Sequence, residues 1–165
     1  MREMNIKKII TGLLLLLLLG SGVAVAADLK KGFEAYNSGD FETALAEWTP
    51  LAEQGDVNAQ YNLGVMYANG YGVPENDKTA VKWYTLAAEQ GLTVGQFNLG
   101  AMYDLGDGVP ENDKTAVKWY TLASYSGSEK AGENKDKVTK QMTSADISKA
   151  QDMSSRCLES NYTDC

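Results

Sequence analysis

The stretch GVPENDKTAVKWYTLA runs from Gly72 to Ala87 and recurs, residue for residue, from Gly108 to Ala123. Sixteen identical residues at a spacing of 36 mark an internal repeat, and the period extends beyond the quoted block. Thr43-Ala44, Thr79-Ala80 and Thr115-Ala116 keep it, as do AEQG at Ala52–Gly55 and Ala88–Gly91. Periods of about 20 to 50 residues belong to stacked architectures, in which each unit buries its apolar face only against its neighbours.

Within the unit the periodicity is helical. Ala80, Trp83, Tyr84, Ala87 and Ala88 fall at i, i+3, i+4, i+7 and i+8, an apolar stripe on a helix whose N-cap is assigned to Asp77. Gly91 is placed to close that helix in the left-handed conformation. A second helix opens at Asp56, carries Ala59, Leu63, Met66 and Tyr67 on its stripe, and ends at Gly70. Pro74 cannot prolong a helix, and the glycines of YGVP permit a tight turn into the next unit. Gly64 and Gly100 lie inside helices, where glycine costs about 1 kcal/mol relative to alanine. Close approach of a neighbouring helix backbone is the expected reason. A phosphate-cradling role does not fit, because neither position opens a helix after a strand and no GxxxxGK[ST] occurs. Trp48, Trp83 and Trp119 read as core rather than as a ligand platform.

The segment AQYNLGVMYANGYGVPENDKTAVKWYTLAAEQG, Ala59 to Gly91, resembles the Sel-1-like repeat, a relative of the tetratricopeptide repeat. Two full copies match, with Gly95 in place of Ala59. A degenerate start lies at Ala27–Asp56, where KGFEAYNSGDFETALAEW is similar to the tetratricopeptide version. The resemblance implies an all-α fold: a right-handed α-solenoid of helix-turn-helix repeats that binds other proteins, often at bacterial envelopes. It also implies that the first helix of each unit lines a concave surface. After Gly127 the pattern decays. Glu133, Lys135 and Thr139 stand where Tyr61, Leu63 and Tyr67 stood, the polar outer face a terminal capping helix needs. TSADISKAQDMSSRCLE then supplies a last capping helix, with Thr143 as N-cap and Asp146 completing an Asp version of the capping box. About eight helices and no strand are expected.

The ends set the context. Arg2, Lys7 and Lys8, the apolar run Ile9–Leu19 and the small residues ending Ala24-Val25-Ala26 have the order of a cleaved signal peptide. The run is short for a membrane span of about 20 apolar residues. The expected division is therefore a signal peptide over 1–26, the repeat solenoid over 27–142, and a capping helix with a disulfide over 143–165. The expected location is periplasmic, with secretion or anchoring by an uncleaved signal as the alternatives, and no membrane insertion after cleavage. Removing Arg2, Lys7, Lys8 and Glu3 with the leader takes the formal charge from −7 to −9, which excludes nucleic acid as a partner. Cys157 and Cys165 read as a disulfide in an exported chain. Closing so short a loop stabilises by about 2.5 kcal/mol in the chain-entropy model.

Chemistry finds few candidates. The chain has no histidine, no CxxC and no S-x-x-K, which removes Ser-His, Cys-His and penicillin-binding-type nucleophiles together with the usual zinc sites. The carboxylate pairs Asp104 with Asp107 and Glu111 with Asp113 are placed in the inter-repeat turn and read as capping and solvated, and no calcium-loop pattern matches there. No catalytic residue, cofactor or metal is assigned. On the first helix of each unit, which the resemblance places on the concave surface where a protein or peptide would bind, the face opposite the stripe holds Glu42, Ala46, Thr49 and Glu53, then Lys78, Lys82, Thr85 and Glu89, then Lys114, Lys118, Thr121 and Tyr125. This strip runs from acidic to basic in an acidic protein, and suits a peptide with an acidic end. Gln60 and Gln96 are expected on the opposite, outer surface. The function read from these features is an exported, non-catalytic protein-interaction module of the cell envelope, a scaffold, adaptor or sensor. The alternative is a regulator of a cell-wall hydrolase, or a cryptic hydrolase acting on β-lactams or peptidoglycan.

Overall fold

Side-chain caps mark the helix starts before any packing is considered, except at Leu92, which makes no side-chain cap bond. The computed structural model describes residues 27–165, and the leader assigned to 1–26 lies outside the described residues. Among the described residues there are eight α-helices and no strand: α1 Leu29–Ser38, α2 Phe41–Glu53, α3 Val57–Asn69, α4 Asp77–Glu89, α5 Thr93–Leu105, α6 Asp113–Tyr125, α7 Glu129–Thr139 and α8 Ser144–Glu159. Asp28, Asp40, Asp56, Ser128 and Thr143 each accept a backbone N–H of the turn they precede. They satisfy donors that no helical carbonyl reaches.

In the two identical copies the cap is Asn76 and Asn112, not Asp77 as the sequence suggests. Asn76 Oδ1 accepts from Thr79 N at 3.0 Å, while the Asn76 N–H donates to Tyr67 O at 2.8 Å. The second bond ties Asn76 to the end of α3. Asp77 then falls inside the first turn, where its charge still favours the positive helix end. At Thr143 the expected box closes between side chains: the hydroxyl accepts from Asp146 N at 3.2 Å and donates to Asp146 Oδ2 at 2.9 Å.

Successive helices from α1 to α7 pack pairwise along the chain. Their stripes form interlocking clusters. Ala44, Trp48, Ala59, Leu63 and Met66 gather with Trp83, whereas Ala80, Tyr84, Leu99 and Met102 gather with Trp119. Each tryptophan of the repeated block thus reaches back into the preceding unit. Burying each large apolar side chain stabilises by about 1.5–3 kcal/mol, so the units depend on one another. All three tryptophans are core.

The helical glycines serve packing, but not by the contact expected. A Cβ at Gly64 would lie 2.6 Å from the Tyr84 ring, and one at Gly100 2.8 Å from the Tyr120 ring. An aromatic face, rather than a helix backbone, fills the missing side chain's place. The turn glycine is constrained as well. Gly108 has φ 70, and a Cβ there would come within 2.4 Å of the Asp77 carbonyl carbon. Only glycine meets both demands.

The last helix breaks the pattern. Helix α8 packs chiefly along α6 rather than on α7, its neighbour in sequence.

Candidate interaction surface

The strip expected to be one continuous surface is divided in two. On α2 and α4, Glu42, Ala46, Glu53, Lys78, Lys82 and Glu89 are exposed, and Thr49 and Thr85 are half-buried. The two threonine hydroxyls donate to Leu45 O at 2.7 Å and Val81 O at 2.8 Å, inside their own helices. Lys78 and Lys82 are exposed and form no ion pair among the described residues, the Lys82 Nζ lying 5.2 Å from the centre of the Trp83 ring, so this half presents ammonium groups without a carboxylate partner.

On α6 the matching residues lie elsewhere. Lys114 is half-buried and paired with Asp146 of α8 at 3.3 Å. Lys118, expected to be an exposed charge, is only 4% exposed. Its Nζ sits 3.9 Å from the centre of the Trp119 ring and donates to the main-chain oxygen of Cys165. Burial holds the Lys118 pKa below the ordinary lysine value. Glu89 opposes that shift, Arg156 adds to it, and Asp164 opposes it. The Asp146 carboxyl is held low first by the Thr143 hydroxyl and then by Lys114. Thr121 donates to Val117 O at 2.7 Å, and Tyr125 stands clear at 76% exposure. The cause of the division is α8 and the segment after it. That segment is closed by a disulfide between Cys157 and Cys165, whose Cα atoms lie 4.6 Å apart.

Other expectations shift too. Gln60 and Gln96 are buried, not outward. Their Nε2 groups donate to Ala52 O at 3.1 Å and Ala88 O at 3.2 Å, last-turn carbonyls of the preceding helices. Gln90 Nε2 donates to Gln60 Oε1 at 2.7 Å and to Gly55 O at 3.1 Å, tying one unit to the next. Asp104 belongs to α5 rather than a turn, and accepts from the Tyr120 hydroxyl at 3.2 Å. Burial, with Asp104 adding to it against an opposing Asn134, pushes the Tyr120 pKa up to about 12. Glu47 was not singled out by sequence. It is buried where the other units have Trp83 and Trp119, pairs with Lys31, and accepts from Asp28 N at 2.9 Å. The break in the aromatic stripe was its only signal.

The repeat geometry agrees with that of known proteins. The Sel1 repeat model matches residues 57–92 and 93–128. The chain carries two tandem Sel1 repeats. In this frame α3 and α5 are the first helices of their units and α4 and α6 the second, the reverse of the pairing read from the sequence. The strip therefore does not lie on the first helices of the matched units, which the resemblance placed on the concave surface. Two solved structures share the solenoid. A protective antigen of uropathogenic Escherichia coli strains displaying an SLR fold has a TM-score of 0.73 at 29% identity, over 78% of this chain and 28% of its own. A Sel1 repeat protein from Oxalobacter formigenes gives 0.65 at 36% identity, over 68% of this chain and 46% of its own. A curated relative, the exopolysaccharide production negative regulator of Rhizobium meliloti, is 43% identical over 53 residues, 32% of this chain and 20% of that protein. The chain therefore spans less than half the length of each. Sel1 repeats are protein-interaction units, and among the described residues no helix is long and apolar enough to cross a membrane.

Proposed function

We propose that this Sel1-repeat protein is an exported, non-catalytic binding module of the bacterial cell envelope, which holds an acidic segment of another protein on the α2–α4 strip. The observation that carries the reading is the pair Lys78 and Lys82, exposed and unpaired among the described residues of a chain with net charge −7. Cations kept free on an acidic protein attract an acidic partner over several ångströms, so they act mainly on association rate and salt dependence. Export rests on the leader pattern alone.

A tagged full-length protein, captured with its partners from the native envelope, tests this. Lys78→Glu with Lys82→Glu should reduce the recovered partner several-fold and leave the helical melt unchanged. Lys137→Glu with Lys140→Glu, exposed positions at the end of α7, should reduce it little. Equal loss from both pairs would sink the strip. A regulatory reading is favoured by the name of the Rhizobium relative. It uses the same surface, the partner then being an enzyme whose activity on peptidoglycan changes when the complex forms. Activity of the purified protein itself on peptidoglycan or a β-lactam reporter would contradict both.

A further inference from the structure

Because the two sixteen-residue copies are identical, any difference between matched residues is imposed from outside them. Lys82 is exposed and Lys118 buried; Lys78 is exposed and Lys114 half-buried. Helix α8 lies against the second copy. Ala150 packs with Ala116 and Val117, and the Ser154 hydroxyl donates to Ala150 O at 2.9 Å and to Lys118 O at 3.4 Å. Small residues at these two positions allow the close crossing. The chain then hooks back through Asn161 and Tyr162, at φ 52 and 66. The Tyr162 ring covers Gly91, where an added Cβ would lie 3.1 Å from it. Cys157, Leu158, Tyr162 and Cys165 complete the apolar cluster around Trp119 and Leu122. A tyrosine in the left-handed region is strained, so it persists only where its surroundings hold it. The disulfide restricts the undocked hook and favours the docked one by tens-fold, roughly, in the chain-entropy model.

We propose that the hook after α8 is a resident occupant of the α6 end of the strip, clasped to α8 by Cys157–Cys165, and that a dithiol reductant releases it. Release uncovers Lys118 and Trp119, and extends the open α4 strip onto α6. The proposal rests on the binding reading above and adds its regulation. A reductant thiolate attacks Sγ of Cys165, the partly exposed cysteine, and expels the buried Cys157 sulfur as a thiolate, which takes up a proton. The reductant's second thiol then attacks the mixed disulfide and frees Cys165. Two electrons pass from the dithiol to the protein, and the reductant leaves as its own disulfide. The occupant also indicates what can replace it: an acidic segment with an oxygen acceptor for Lys118 and an aromatic ring for the Gly91 corner.

Trace acetylation of lysines in the full chain tests this without any partner. It is run on oxidised protein, on protein treated with excess dithiothreitol, and on Cys157→Ser with Cys165→Ser. An acetylated lysine blocks tryptic cleavage, so the matched sites are told apart by their downstream residues, WYTLAAEQG after Lys82 and WYTLASYSG after Lys118. In oxidised protein Lys118 should label about tenfold less than Lys82, and in the other two samples within about twofold of it, as local opening exposes the amine. Far-UV circular dichroism should keep most of its helical signal. Lys118 still protected with both thiols shown to be free would overturn the proposal. So would general loss of helix with all lysines labelled, since the clasp would then be holding the repeats. Failure of the capture experiment above, with release observed here, would remove the binding reading and leave the clasp standing.

Discussion

Gly72–Ala87 and Gly108–Ala123 are one sequence in two surroundings, and what they share separates local physics from context. Both helices start from an asparagine cap at φ −154, with the same contact to the backbone N–H three residues on. Both set a tyrosine ring on the glycine of the preceding helix, and both return a threonine hydroxyl to the carbonyl four residues back. These features are repeated because they need only the unit and its immediate neighbour. Lysine exposure is not repeated, because α8 lies on one copy alone.

Two orphaned polar atoms extend the comparison. Asn134 Nδ2 donates to the Tyr120 hydroxyl at 3.4 Å, and Asn98 is the residue that matches Asn134 as Tyr84 matches Tyr120. The same register pairs Asn62 with position 48, which is tryptophan, and Asn62 Nδ2 has no partner among the described residues. Likewise Gln60 Oε1 accepts from Gln90, but the matching position for Gln96 is Ser126, too short to reach, and Gln96 Oε1 is unpaired among the described residues. Each orphan lies where one copy has lost the side chain that its sister keeps.

The largest expected effect is in the shared core. Leu63→Asp and Leu99→Asp each bury an unpaired carboxylate, and each should cost about 4 kcal/mol in denaturant unfolding. Unequal losses would show that the units are not equivalent in their stacking. Gly64→Ala and Gly100→Ala force a Cβ against a buried ring, and should cost about 1–3 kcal/mol each despite alanine's better helix propensity. A gain at either site would show that the ring gives way.

Smaller changes sharpen the contrast. Ser126→Gln restores the missing donor for Gln96, and should raise the stability by about 1 kcal/mol. No gain would mean that Gln96 is already satisfied. Glu47→Gln removes the ion pair with Lys31 while keeping the size, so faster amide exchange confined to α1 is expected. Lys31 first, and then the Asp28 N–H, hold the Glu47 pKa below the ordinary carboxylate value, so this stabilisation is complete above about pH 4.3 and fades as pH falls through the lower folded value. Glu47 in turn raises the Lys31 pKa, so the same contact fades as pH climbs through that raised value, above about 10.4. Exchange in α1 that ignores acid would remove the clamp.

How much was legible divides along the same line. The repeat, the helices, the Asp56 cap and the buried stripes were readable, because period and capping chemistry are local signals. Asn76 was missed by one residue because two good caps adjoin, and the bond that the Asn76 N–H donates to Tyr67 O decides between them. Gln60 and Gln96 read as surface because polarity was taken for exposure; the last-turn carbonyls of Ala52 and Ala88, which also accept from the Gly55 and Gly91 N–H groups, accommodate them. The covering of Lys118 was not legible at all. It depends on where a helix about thirty residues later comes to rest, and no property of TAVKWY records that.

Site-specific photo-crosslinking in the native envelope tests the central claim most directly. A benzophenone side chain is placed at Lys82, on the open strip, or at Lys137, on the end of α7. We expect a discrete protein adduct from position 82, weakened by added salt, and none from 137. An adduct from 137 with none from 82 would contradict the claim that this protein works by holding a partner on its α2–α4 strip.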